Sequence, residues 1–266
     1  MNARPKKSFG QHFLHEKRYI ERIVSAIAPK DGDTLVEIGP GEGALTLPLL
    51  AAAHRLTAIE LDTDLIPALG ERAAPIGDLR IVHADVLKVD FAALARELGA
   101  SRLRIAGNLP YYISSPILFH CVEHAESIQD MHFMLQKEVV DRMAADPGSK
   151  VYGRLSVMLQ LACRVVPLLD VPPGAFRPPP KVDSSVVRLV PLAPEERHDA
   201  APDDVHAVVK AAFAQRRKTL SNALRQLLDA DSIRGAGIDP GARAETLTPG
   251  DFVRLAKALP AQAAKD

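Results

Sequence analysis

Two cysteines are all that this 266-residue chain contains, Cys121 and Cys163, and each sits inside an apolar segment. Such scarcity excludes a disulfide framework and reads both as small core residues in a reducing compartment. The nine histidines are scattered without a paired motif, so no metal is expected. No apolar run approaches the length of a membrane span, because Arg, His or Pro breaks the longest ones. The N-terminal "MNARPKKSFGQHF" is basic but lacks the apolar region of a secretory signal, which points to a cytoplasmic protein with no membrane partner. Net charge is also lacking: 33 basic residues balance 33 acidic ones, which argues against a general nucleic-acid binder. Internal repeats and low-complexity tracts are missing too.

What is present is an ordinary globular composition, 47% hydrophobic and 25% charged, with charge unevenly spread. Residues 1–20 hold Arg4, Lys6, Lys7, Lys17 and Arg18 against Glu16 alone, and "QRRK" sets Arg216, Arg217 and Lys218 in succession. Isolated surface charge is usually only solvated. Two uncompensated clusters in a balanced chain are better explained by an anionic partner.

Apolar spacing in "RYIERIVSAIA" predicts a helix, after which strands and helices alternate. Strands are expected at "TLVEI", "RLTAIE", "LRIVHAD" and "LRIAG", with helices at "ALTLPLLAAA", "TDLIPALGERA" and "DFAALARELG" between them. This rhythm predicts an α/β fold, a mostly parallel sheet covered by helices on both faces. Further on, Ser115 is expected to cap a helix with Pro116 at its first position. "DMHFMLQ" reads as a strand, "KEVVDRMAA" and "YGRLSVMLQLA" as helices, and "RVVPLLDV" and "SSVVRLVPL" as β-like. Between the last two, "PPGAFRPPPKVD" is expected to be irregular because of its prolines. The shift to Pro, Ala and charge at "PLAPEERHDAAP" marks a linker. Domains are therefore expected at 1–192 and 193–266, the second helical throughout, including "TLSNALRQLLDA".

Chemistry concentrates at the expected strand ends. Gly39, Gly41 and Gly43 space as G-x-G-x-G between a strand and a helix, where bare backbone lets a ligand approach. Such a loop alone is a weak signal, but it follows the first sheet strand, where nucleotide cofactors sit. Glu60 closes the second strand, 21 residues after Gly39, and its carboxylate can bind both hydroxyls of a ribose. Asp85 closes the third and can accept from an adenine amino group. These features suit NAD or S-adenosylmethionine, and the missing later glycine of a dinucleotide fingerprint favours the latter.

"GNLPYYISSP" ends the fourth strand. Its bland reading is a strand-to-helix turn angled by Pro110, with tyrosines as packing. The sharper one is methyl transfer to a weakly nucleophilic amino group. The Asn108 amide oxygen and the Leu109 carbonyl can each accept one N6–H of an adenine, leaving its lone pair free to aim. Pro110 fixes the carbonyl direction, and Tyr111 can stack on a base taken out of its helix. Catalysis would then rest on orientation and dipoles.

"KKSFGQHFL", "EIGPGEGALT", "IELD", "GNLPYYISSPI", "MLQKEVVDRM", "YGRLSVMLQ", "FRPPPKVDSSVVRL" and "FAQRRKTLSNAL" occur in that order. Together they resemble the small-subunit ribosomal RNA adenine dimethyltransferases, the KsgA/RsmA type, from about Lys6 to the end of the chain. The resemblance implies a Rossmann-like methyltransferase domain, a small all-helical C-terminal domain that binds RNA or ribosome, and S-adenosyl-L-methionine as donor. The implied substrate is two adjacent adenosines in a hairpin loop near the 3′ end of 16S rRNA within an immature small subunit, acted on by a monomer. It carries cofactor positions onto His12, Leu14, Gly39, Glu60, Asp85 and Asn108, with Gly41 beside them. The catalytic motif falls on Asn108, Leu109, Pro110 and Tyr111, and an aromatic placed against the target base falls on Phe176. Lys6, Lys7, Arg216, Arg217 and Lys218 are the expected RNA contacts. Two positions depart from the family: His12 stands where Asn is frequent, and Tyr112 stands where Asn is usual, so Tyr112 receives no role. DNA adenine methyltransferases usually carry Asp-Pro-Pro-Tyr or Asn-Pro-Pro-Tyr in place of "NLPY". Large-subunit dimethylases match "FAQRRKTLSNAL" less well. A ribosome assembly factor selected for binding more than chemistry is the alternative of another class.

Overall fold

The computed structural model describes residues 12–260. The order opens with β1 (Phe13–Leu14), α1 (Lys17–Ile27), β2 (Leu35–Ile38), α2 (Thr46–Ala53), β3 (Arg55–Glu60), α3 (Ile66–Ala73), β4 (Asp78–His83) and α4 (Phe91–Glu97). It continues with β5 (Leu103–Asn108), α5 (Ser114–Glu123), β6 (Ile128–Gln136), α6 (Lys137–Met143) and α7 (Arg154–Gln160). Then follow β7 (Cys163–Val171), β8 (Phe176–Arg177) and β9 (Ser184–Pro191), and the helices α8 (Pro202–Ala214), α9 (Leu220–Ala223), α10 (Ala230–Gly235) and α11 (Pro249–Lys257).

Among the described residues a seven-stranded sheet runs in the order β4-β3-β2-β5-β6-β9-β7. The strands from β4 to β6 are parallel, and β9 returns antiparallel along β6. All four residues of β2 are buried, as a central strand covered on both faces requires. Strand order reverses between β2 and β5, so the crevice at their C-terminal ends is the natural ligand position. At the opposite end of β5 the Arg104 guanidinium grips both carboxylate oxygens of Asp130 (2.9 and 3.1 Å), the Asp33 carboxylate (2.6 Å) and the Ile27 carbonyl (2.7 Å). This buried fork ties the end of α1 to β5 and β6, leaving the opposite sheet end to the site.

Compact packing places one division between Pro191 and Leu192, beside the expected boundary, and adds an earlier segment to the second unit. One unit holds residues up to Val140 together with Arg164–Pro191; the other holds Asp141–Cys163 and residues from Leu192 on. In the second, Tyr152 and Val157 share a core with Val208, Val209, Phe252 and Leu255 of α8 and α11. The buried Tyr152 hydroxyl donates to the Leu247 carbonyl at 2.9 Å. Segment 141–163 thus joins the helical unit because its apolar faces are buried there.

Three local expectations are corrected. The loop "PPGAFRPPPKVD" contains β8, which pairs antiparallel with β1 through Phe13↔Arg177 and Leu14↔Phe176. Phe176 and Arg177 keep their N–H groups, and Pro178 biases Arg177 toward the extended backbone that a strand needs. Helix α5 begins at Ser114, not after a Ser115 cap; the Ser114 hydroxyl donates to the Tyr111 carbonyl at 3.1 Å. Pro116 is still tolerated, since the first helical N–H groups have no partner within the helix. "TLSNALRQLLDA" is not one helix: α9 ends at Ala223, and Asp229 accepts from the Ser232 N–H at 2.7 Å to start α10.

Candidate functional site

Most of the chemically marked residues at the sheet's strand ends line one cleft of about 150 Å³; Gly43, the third glycine of the loop, does not. Its wall includes Gly39 and Gly41 after β2, Glu60 at the end of β3, Asp85 after β4, and Asn108 to Tyr112 at the end of β5; His12 to Leu14 close it from β1. All of these belong to the first unit.

Gly39 and Gly41 both have positive φ, +67° and +55°. A Cβ on Gly39 would point into open space, so the cleft floor there is bare backbone. A Cβ on Gly41 would come within 3.1 Å of the Phe13 ring, which lies over the loop. Glu60 steadies the same loop. Its Oε2 accepts from the Gly41 N–H at 3.2 Å and its Oε1 from the Asp62 N–H at 2.8 Å. Each oxygen keeps capacity for a further hydroxyl. Asp85 accepts from the Leu87 N–H through Oδ1 at 3.1 Å, capping a short turn and leaving its second oxygen available.

Glu37 is the polar residue that sequence reasoning left without a role. It sits in the middle of fully buried β2, lines the cleft, and its Oε2 has no hydrogen-bond partner among the described residues. Burial pushes its carboxyl up to about 7; the neighbouring Glu60 charge adds to the rise, and the Thr46 hydroxyl opposes it. A lone acid inside "LVEI" was the available signal.

At the end of β5 the Asn108 Nδ2 donates to the His12 carbonyl at 3.2 Å. With Nδ2 so used, Oδ1 is free to accept. The Leu109 N–H is taken by Met134, while its side chain is buried beneath the turn. The Ile113 N–H bonds the Pro110 carbonyl at 3.2 Å, closing a tight turn over Tyr111 and Tyr112. The Tyr111 hydroxyl shares a 2.6 Å hydrogen bond with the Ser184 hydroxyl, and its ring stacks on His12 with centroids 5.9 Å apart. Burial raises the Tyr111 phenol above its ordinary range, with the Ser184 bond opposing, so it stays neutral. Ser184 is a partner that no sequence pattern announced. The His12 Nδ1 donates to the Pro178 carbonyl at 2.7 Å, so His12 reaches Asn108 through its backbone and Tyr111 through its ring.

Phe176 is placed elsewhere than expected. It is 2% exposed, packs in the core with Leu14 and Ala175, and is absent from the cleft wall. Its backbone pairs with Leu14 of β1, and its ring packs with Leu14 in the same core. In the second unit Arg217 and Lys218 are exposed. Arg216 is exposed too but also engaged, donating to the Lys150 carbonyl at 2.6 Å and pairing with Glu245 at 3.3 Å. Lys6 and Lys7 lie outside the described residues. No group of three His, Cys, Asp or Glu side chains that could hold a metal occurs among the described residues. Nor is any described helix long and apolar enough to cross a membrane.

Residues 2–260 match the family model described as ribosomal RNA adenine dimethylase. The chain is 60% identical over 260 residues to ribosomal RNA small subunit methyltransferase A of Xanthomonas oryzae pv. oryzae (strain PXO99A), covering 98% of each. It is 59% identical to the protein of that name in Xanthomonas campestris pv. campestris (strain B100), covering 96% of each. Among solved structures it resembles a dimethyladenosine transferase from Plasmodium falciparum, with TM-score 0.78 and 26% identity, covering 92% of this chain and 96% of that one. It also resembles the 23S rRNA methyltransferase ErmE, with TM-score 0.73 and 26% identity, covering 93% and 99%.

Proposed function

The chain belongs to the ribosomal RNA adenine dimethylase family, and from that premise we propose that it dimethylates N6 of two adjacent adenosines near the 3′ end of 16S rRNA. The observation that carries this reading is the fixed amide of Asn108, a residue of the cleft wall: its Nδ2 is engaged by His12, which leaves Oδ1 as the acceptor.

The cleft fits S-adenosyl-L-methionine. A bare Gly39, an unpartnered Glu37 oxygen and the remaining acceptor capacity of Glu60 and Asp85 suit a cationic ligand carrying a ribose and an adenine. Gly39 and Gly41 would offer close backbone approach, Glu60 the ribose contacts and Asp85 the adenine contact, with His12 and Leu14 closing the site. When bound, this donor supplies an electrophilic methyl group on a sulfonium.

The protein's own groups do the orienting. Asn108 Oδ1 and the Leu109 carbonyl accept the two N6–H bonds of the target adenine, turning its lone pair away from the ring system. Pro110 and the turn closed by Ile113 hold that carbonyl still. Neutral Tyr111, anchored by Ser184 and His12, supplies a flat face for the base. Arg217 and Lys218 serve as phosphate contacts of the helical unit, and the enzyme works in the cytoplasm where small subunits mature.

Similarity to ErmE raises large-subunit RNA as a second substrate. The 60% identity with small-subunit enzymes over nearly the whole chain favours the small subunit. The test incubates the protein with unmethylated small or large subunits and labelled donor, then maps the modified base. Label on two adjacent adenosines of 16S rRNA is expected; label only on large subunits would overturn the reading.

A further inference from the structure

Tyr112 lines the cleft, and the mechanism above gives it no part. Its side chain is among the most exposed large apolar ones of the protein, 61%, yet it lines the mouth of the cleft. No hydrogen bond or ring contact engages it among the described residues. Its backbone, by contrast, is firmly held. The Ile113 N–H bonds the Pro110 carbonyl across it, the Ser114 hydroxyl donates to the Tyr111 carbonyl, and the Tyr111 hydroxyl is tied to Ser184. A rigid turn therefore holds a free aromatic ring out at the entrance, directly beside the ring that faces the base.

We propose that Tyr112 is a substrate-positioning residue: its ring stacks on the unpaired adenine next to the one being methylated. This rests on the adenosine-pair reading above. Drawing one adenosine into the cleft breaks its stack with its neighbour and exposes a base face to water. RNA-binding proteins recover that loss with aromatic platforms, and a ring on a fixed turn pays little ordering entropy to act as one. Tyr111 is half-buried and committed to the target, whereas Tyr112 is adjacent in the chain and open to solvent. The donor-facing Glu60 ends β3 and Asp85 follows β4, so a role in the RNA entrance separates from donor binding. As the two adenosines exchange places, either can take the outer position.

The experiment compares wild type with Tyr112→Ala, Tyr112→Leu and Tyr112→Phe on unmethylated small subunits, with donor affinity measured by calorimetry. Wild type must first methylate the adenosine pair; if it does not, the underlying reading falls and this inference with it. For Tyr112→Ala we expect kcat/KM for subunits to fall roughly tenfold, chiefly through KM, the scale of one lost base stack. Tyr112→Phe, which keeps the π face, should stay near wild type, and donor affinity should be unchanged in all variants. Tyr112→Leu keeps apolar bulk without a π face and should behave like Ala, which guards against a folding defect in either. Active wild type with an unchanged Tyr112→Ala would overturn the inference alone. So would a Tyr112→Phe loss equal to that of Ala, or weakened donor binding in the absence of RNA.

Discussion

The side-chain amide of Asn108 donates to the backbone carbonyl of His12 across 3.2 Å, joining the end of a central strand to the two-stranded ribbon that closes the cleft. That one bond fixes which end of the amide is engaged within the protein. A carbonyl oxygen can only accept, so the NH2 group is held on it and the oxygen is turned away. The ribbon itself is positioned by the pairing of Leu14 with Phe176. Phe176 thus bears on the cleft wall through its pairing with Leu14.

Asn108→Ala should lower single-turnover methyl transfer by at least about 100-fold, the scale set by removing one preorganised polar group from a reacting centre. Donor affinity by calorimetry should stay near wild type, because the other proposed donor contacts, Gly39, Gly41, Glu60 and Asp85, are left intact. Near-normal single-turnover rates would remove Asn108 from the mechanism. The same variant should still bind precursor subunits, separating chemistry from any checkpoint role in assembly.

Glu60→Ala should weaken S-adenosylmethionine binding by about 2 kcal/mol, close to 30-fold. Glu60→Gln should be little better. Its NH2 end would face either the Gly41 or the Asp62 N–H, both of which now donate to the carboxylate. RNA affinity without donor should barely move in either variant. Calorimetry giving wild-type donor affinity would exclude Glu60 from the site.

Glu37 makes stability depend on pH in a definite direction. Its carboxyl rises from 4.5 to about 7 on folding, chiefly by burial, so the folded state binds the proton more tightly than the unfolded one. The associated stability is fully present below 4.5 and is lost as pH climbs through about 7. The full loss is about 3 kcal/mol. Glu37→Gln should match wild type near pH 4 and exceed it in thermal midpoint by pH 8, without donor present. A constant difference across that range would mean that Glu37 is not buried as a neutral acid.

Salt dependence tests the basic cluster. Replacing Arg217 and Lys218 with Ala should flatten the slope of log affinity against log salt by about 2, one counterion release per phosphate contact. Arg216→Ala should leave the slope alone and lower thermal stability, because its guanidinium holds the Lys150 carbonyl and Glu245. Methylation at saturating subunit should survive in the double variant. An unchanged slope would leave Arg217 and Lys218 as surface charge, and RNA docking would then lie elsewhere.

Much of the fold was legible because its signals are local. Alternating β-branched runs and amphipathic helices specify elements through short-range periodicity, and glycines at positive φ specify the loop after β2. Local order misled where burial decided the outcome. Residues 141–163 carry ordinary helical spacing, and only the apolar faces of α8 and α11 recruit Tyr152 and Val157 to the second unit. The two-residue strand β8 was hidden in a proline-rich loop because its partner β1 lies more than 160 residues away.

The candidate site is written along the chain: glycines follow β2, Glu60 ends β3, Asp85 follows β4 and "NLPY" leaves β5, and parallel strands bring these ends to one edge. Tertiary structure alone decided how those groups are held. Ser184 meets Tyr111, His12 turns the Asn108 amide, Phe13 covers Gly41, and Phe176 withdraws into the core. Each of these contacts joins residues distant in the chain, so no periodicity or spacing encodes it. Hydrogen-bond direction and desolvation exist only once the sheet has brought the partners together. Glu37 illustrates the division: its place in "LVEI" is written in the chain, whereas its raised carboxyl is a property of the closed core around it.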